Sequence, residues 1–201
     1  MKHIVSMALM VNLAIASVYA QQPQERSVDM TFSGTGGHST IDLLQSNTNN
    51  AEENVAGTGT LGEFTFRNVS AIAVSPESSS TCSGVYFPRV AGGGVFRFSD
   101  GSLLKVTLTQ GGDCIDFVQM VGNCTLTLQI TGGTGRFKDA SGVLTYTETA
   151  LPAMADAADH PVLFTETGEI TGTISMLVET ETEPQDVRRK KGTSSSKVAP
   201  R

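Results

Sequence analysis

Period-two alternation, rather than helical spacing, runs through most of this chain. Val28, Met30 and Phe32 share one face of SVDMTF, as on a half-buried strand. The polar, Asn-rich stretch from Thr35 to Ala56 interrupts the pattern, and its apolar trio Ile41, Leu43 and Leu44 suggests a short helical turn. LGEFTFRNVSAIAV resumes as a long or bent strand with Phe64 and Phe66 on one side. VFRF, the turn signal SDGS and LLKVTLT read as a hairpin, and CIDFVQM, VGN and CTLTLQI as a second one. GVLTYTET, an Ala/Asp-rich loop and FTETGEITGTISMLV follow. About eight short strands with Gly-centred turns and no amphipathic helix predict an all-β fold, a single antiparallel barrel over 27–180. Closure would leave no edge strand exposed.

Carried along each strand, the same parity sorts side chains into inner and outer. Phe96 and Phe98, Leu104 with Val106 and Leu108, Leu126 with Leu128 and Ile130, and Ile170 with Ile174 mark buried faces, while the opposite parity is mostly Thr, Lys, Arg or Glu. Continuing the inner parity runs into polar residues: Asn68 after Phe64 and Phe66, Tyr146 and Glu148 after Leu144, and Glu166 between Phe164 and Ile170. A carboxylate inside a barrel is costly unless paired, so Asn68, Tyr146, Glu148 and Glu166 form a candidate ligand site if they meet at one mouth. Two carboxyls with separated pKa values could then serve as acid and base, which makes Glu148, Glu166 and Tyr146 the catalytic candidates. The competing reading puts both glutamates at the rim, where strands leave the core beside the Ala/Asp-rich loop.

The ends differ from the middle. MKHIVSMALMVNLAIASVYA has a basic Lys2, an apolar run and a small-residue ending at Ala20, and reads as a signal peptide over 1–20. It is too short for a lasting anchor, which needs about 20 apolar residues, so no stable membrane insertion is expected. A flexible leader is expected at 21–26 and a disordered basic tail at 181–201, where DVRRKKGTSSSKVAPR is poor in apolar residues. The 201 residues carry a net charge of -6, divided unevenly: 19 acidic and 7 basic residues lie between Gln21 and Gln185, and 1 acidic and 6 basic beyond. A short basic run on an acidic body reads as a solvated tail, and no nucleic-acid partner is expected.

Export implies an oxidising compartment, and Cys82, Cys114 and Cys124 then suggest one disulfide and one free thiol. Loop-closure entropy favours Cys114 with Cys124. That pairing requires loop between them, because a regular hairpin strand would hold the two thiols roughly 20 Å apart.

The glycines of Thr131-Gly132-Gly133-Thr134-Gly135-Arg136-Phe137 lack the Lys-Ser/Thr ending and the following helix of a phosphate-binding loop. They read instead as a structural turn with positive φ at several glycines, Phe137 plugging the barrel end and Arg136 tying the turn to nearby carbonyls. With Ala140, Gly142 and the alternating strand beyond, this turn resembles the hallmark turn of the allene oxide cyclase barrel, shared with plant dirigent proteins. GTGTLGEFTF and DGSLLKVTLT resemble companion pieces in small secreted bacterial proteins with that barrel. The resemblance spans roughly Val28 to Val178. It implies an eight-stranded antiparallel barrel with a central cavity. Members cyclise an unsaturated epoxide, or steer coupling or cyclisation of phenolic intermediates, without metal or organic cofactor. Their catalytic residues match no positions here.

Other constellations point elsewhere. Asp156, Asp159 and His160 lack a second His or Cys in ligand spacing and read as loop, so no metal is expected. The G-x-S-x-G pattern is absent. Asn68 and Asn123 each begin a glycosylation sequon. The expectation is an exported, monomeric barrel without cofactor that binds a small apolar or phenolic ligand in its mouth. The alternatives are a cofactor-free cyclase or isomerase, and a structural protein whose barrel is filled.

Overall fold

A computed structural model describes residues 23–177; the expected signal peptide and basic tail lie outside them. Eight strands follow in order: β1 (Gln24–His38), β2 (Thr48–Gly59), β3 (Phe64–Ala73), β4 (Val85–Phe98), β5 (Leu103–Asp116), β6 (Val121–Gly133), β7 (Ser141–Ala155) and β8 (Pro161–Met176). Each pairs antiparallel with the next, and β8 closes on β1, for example Met30 with Ile170. This closed all-β barrel is the architecture that the turn motif implies. The leader expected at 21–26 is partly strand, since Gln24 to Arg26 pair with β8.

The stretch between Thr35 and Ala56 departs from expectation. Its second half is β2, and Ile41, Leu43 and Leu44 lie in an irregular β1–β2 connection with Leu44 exposed. The Ala/Asp-rich loop is shorter than it reads, because β7 continues to Ala155.

Aromatic side chains fill the lower barrel. Phe66 stacks on Phe96 with centroids 4.0 Å apart, and Phe64 and Phe98 extend the cluster. Each such ring contributes about 1.5–3 kcal/mol by leaving water. At that end the β6–β7 turn folds inward. Phe137 is fully buried against Phe98, and Arg136 lies over both rings while donating to the Leu61 carbonyl oxygen at 2.5 Å and pairing with Asp100 at 3.1 Å. Gly132 and Gly135 hold φ of 108° and 58°, which a side chain would strain; Gly133 packs directly on the Leu103 carbonyl.

The expected Cys114–Cys124 disulfide is not formed. Cys114 is bonded to Cys82, from the β3–β4 connection, and Cys124 is a buried free thiol. The segment between Cys114 and Cys124 is a hairpin, with Asp113 opposite Cys124 and Cys114 opposite Asn123. Adjacent residues of a strand face opposite sides, so Cys124 points inward beside Asp113 while Cys114 points outward. Closure entropy favours the nearer thiol, but the sheet stands between the two.

Two of the slips in the ladders reset the inner parity beside the polar side chains. On β5 the pairing steps from Leu108↔Leu128 to Gln110↔Thr127, skipping Thr109. Even-numbered residues face inward before this bulge and odd-numbered ones after it, which turns Asp113 into the barrel. On β4 the steps are Ala71↔Ala91 and Ile72↔Arg89, which skip Val90 and bring Arg89 inside while Val90 is exposed.

Candidate functional site

Above the aromatic floor the barrel is not filled. A cavity of about 620 Å³ reaches up to the β1–β2, β3–β4, β5–β6 and β7–β8 connections, with apolar walls that include Phe87, Ile115 and Phe164. Polar side chains converge at its lower end.

Regular parity brings Asn68, Tyr146, Glu148 and Glu166 together as expected from the alternation. All four are buried, at 2, 0, 6 and 4 % exposure, which places both glutamates inside the barrel rather than at its rim. Three partners were not apparent in the sequence: Glu53 on β2, Arg89 on β4 and Asp113 on β5. Arg89 is the hub. Its Nη2 lies 2.8 Å from Asp113 Oδ1 and its Nε 3.1 Å from both Asp113 oxygens, a bidentate pairing. Its Nη1 donates to Glu53 Oε1 and to Ser70 Oγ, the latter at 3.1 Å, and its Nη2 stands 3.8 Å from Glu148 Oε1. Asn68 Nδ2 donates to the other Glu53 oxygen. Tyr146, stacked on Phe32, donates its hydroxyl to Glu148 Oε2 at 2.5 Å.

Four buried or half-buried carboxyl groups thus face one guanidinium, and this imbalance governs protonation. Burial works against the charge on Arg89, but Asp113 and Glu53 outweigh it and hold Arg89 well above its usual value. Burial first, and then the Glu53 charge, raises Glu148 above the usual carboxylate range. Burial and the charge on Glu148 raise Glu166 likewise. Oxygens of Glu53, Glu148 and Glu166 lie within 4.8 Å of one another, so the set holds a proton through neutrality in place of full ionisation. Burial also pushes the Tyr146 hydroxyl and the Cys124 thiol up, which keeps both neutral.

Glu166 fits because β1 passes beside it as Gly36, where a Cβ would coincide with its carboxyl. Its Oε2 and Asn68 Oδ1 are the two buried side-chain polar atoms without a partner among the described residues. Three carboxylates at this separation could also approach a hard cation, but the Arg89 charge occupies Glu53. Buried in the barrel wall, Asn68 is out of reach of glycosylation, whereas Asn123 is exposed. Asp156 and His160 form a capped turn at the mouth, 3.6 Å apart, and Asp156 accepts the His160 amide.

No protein-family model matches the sequence, and no curated protein matches it. Among solved structures the chain is similar to the pterocarpan synthase dirigent protein PsPTS1, at 12% identity and a TM-score of 0.43, covering 79% of this chain and 99% of that one. It is also similar to the pterocarpan synthase dirigent protein GePTS1, at 14% identity and a TM-score of 0.26, covering 86% and 99%. Neither likeness assigns a role to any residue here.

Proposed function

We propose that the barrel binds a small, largely apolar ligand bearing a polar group, of phenolic size, through its open end. The observation that carries this reading is the apolar-walled cavity of about 620 Å³ ending on buried polar side chains, among them Glu166, whose Oε2 lacks a partner. A barrel with a purely structural role would close that space with side chains, as the Phe66 and Phe96 layer does below. The Cys82–Cys114 disulfide supports an exported protein in an oxidising compartment. The test is native mass spectrometry of the protein purified from its host, with solvent extraction of any passenger and thermal shifts across a lipid and phenol panel. A stoichiometric passenger or a saturable shift is the expected result; a bare chain that no compound stabilises would overturn the reading.

A second reading rests on the Tyr146–Glu148 hydrogen bond and the raised proton affinity of Glu148 and Glu166. A carboxyl that keeps its proton near neutral pH can donate it, and an ionised neighbour can accept one, as isomerisation or cyclisation requires. Once a ligand is known, turnover that vanishes in Glu148→Gln while binding persists would favour this reading; unchanged turnover would remove it.

A further inference from the structure

We propose that the ligand of this cavity is a cation on an apolar body, an organic ammonium seated between Glu148 and Glu166. The inference rests on the pocket reading above and names its ligand class. It starts from the placement of charge. The segments that line the cavity, 37–53, 72–89, 113–124 and 148–166, contain three, one, two and four acidic residues in turn, and Arg89 is their single Lys or Arg. The remaining described residues hold six acidic and six basic residues. One end of the barrel is therefore strongly anionic and the other balanced. A cleft of one sign with low-dielectric walls concentrates the opposite ion at its opening.

The hydrogen-bond inventory inside points the same way. Arg89 is committed to Glu53, Asp113 and Ser70, and the Tyr146 hydroxyl to Glu148. Of the unpartnered buried atoms among the described residues, the one on a cavity-lining residue is a carboxyl oxygen, Glu166 Oε2. An entering group must supply donors, and an ammonium has three with no acceptor. A bare divalent ion would leave the apolar upper cavity unused and face Arg89 Nη2, 3.8 Å from Glu148.

Before a ligand enters, a proton does what the ammonium would do. Around Glu148 and Glu166 stand Glu53 on β2, Arg89 on β4, Asp113 on β5, Cys124 on β6 and Tyr146 on β7. β1 and β3 contribute the uncharged Gly36, Asn68 and Ser70, with His38 and His160 farther up the wall. Seating an ammonium favours ionised carboxylates, so binding releases a proton and tightens as pH rises toward 8.

Isothermal titration of the oxidised protein with 4-phenylbutylamine, 4-phenylbutan-1-ol and 4-phenylbutyrate, bodies of one size and three charges, tests this. At pH 8 the amine is expected to bind at least about tenfold tighter than the alcohol, a charge-assisted hydrogen bond's worth. The gap narrows at pH 6, at high salt and in Glu166→Gln, and binding heats vary with buffer as a proton leaves. The wild-type comparisons of pH and salt stand even if the variant fails to fold. An alcohol or butyrate that binds as tightly as the amine overturns the charge inference and leaves the pocket reading intact. Calcium or magnesium competing with the amine at comparable affinity overturns it in favour of a metal site. If none of the three compounds binds, both the inference and the pocket reading fall.

Discussion

Replacing Glu166 with Gln should change the pH dependence of stability more than its size. Glu166 is buried, its Oε2 has no partner, and the nearby carboxyls of Glu148 and Glu53 oppose its ionisation. In the unfolded chain, glutamates release their protons near pH 4.3. The native set keeps one proton beyond that, so the native state binds more protons than the unfolded state and stability falls as pH rises. The slope for one retained proton is about 1.4 kcal/mol per pH unit, or about 3 kcal/mol between pH 5.5 and pH 8. The amide of Glu166→Gln needs no proton, while burial and Glu53 still raise Glu148, so the variant's slope should be clearly shallower than the wild type's without vanishing. Urea unfolding followed by far-UV circular dichroism measures this, since the chain has no Trp to report fluorescence. A variant slope equal to that of the wild type, or a flat wild-type profile over this range, would refute the shared proton.

Arg89→Met leaves Glu53 and Asp113 buried without a counter-charge and should cost on the order of 3–5 kcal/mol at pH 7 in the same urea assay, with part recovered at pH 5. A loss below about 1 kcal/mol would mean that water reaches these carboxylates. Gly36→Ala keeps an allowed backbone but puts a methyl where the Glu166 carboxyl lies, so the carboxyl should move toward the mouth and titrate at lower pH in a carbon-13 NMR series. An unchanged titration would show that the carboxyl does not sit against β1. Cys82→Ser with Cys114→Ser opens a cross-link between residues 32 apart and should cost about 3–4 kcal/mol, read from the urea midpoint. Cys124 should react with a thiol reagent only on unfolding, because its sulfur is buried and its thiolate disfavoured.

What alternation could reveal depended on each strand keeping its phase. On β3 it does, and on β7 and β8 it does as far as the glutamates, so simple counting carried the inner face from Phe66 to Asn68, from Leu144 to Glu148 and from Ile170 to Glu166. Counting could not tell whether those positions lie below the rim, because strand length is set by pairing partners. β2 gave no apolar rhythm: Val55 is its one buried aliphatic, and its inner face otherwise carries Ala51, Glu53 and Gly57. Arg89 and Asp113 were out of reach for a different reason. Extrapolated from Phe96 and from Leu108, both would face solvent, and only the bulges bring them in. The disulfide followed the same rule, since a single position on β6 separates a thiol inside the barrel from a neighbour outside it.

The skipped residue on β5 acts as a frame shift. Below it the strand is written in one phase, with Leu104, Val106 and Leu108 inward; above it in the other, with Asp113 and Ile115 inward. Were Thr109 paired in an unbroken ladder, Asp113 would face solvent and Cys114 the cavity; deleting Thr109 instead leaves Gln110 opposite Thr127 and Asp113 opposite Cys124, so the inward carboxyl depends on the extra residue being looped out or absent. One looped-out residue thus lets a single strand present an aliphatic run to the floor and a carboxylate to the mouth, although the two sets lie an odd number of positions apart.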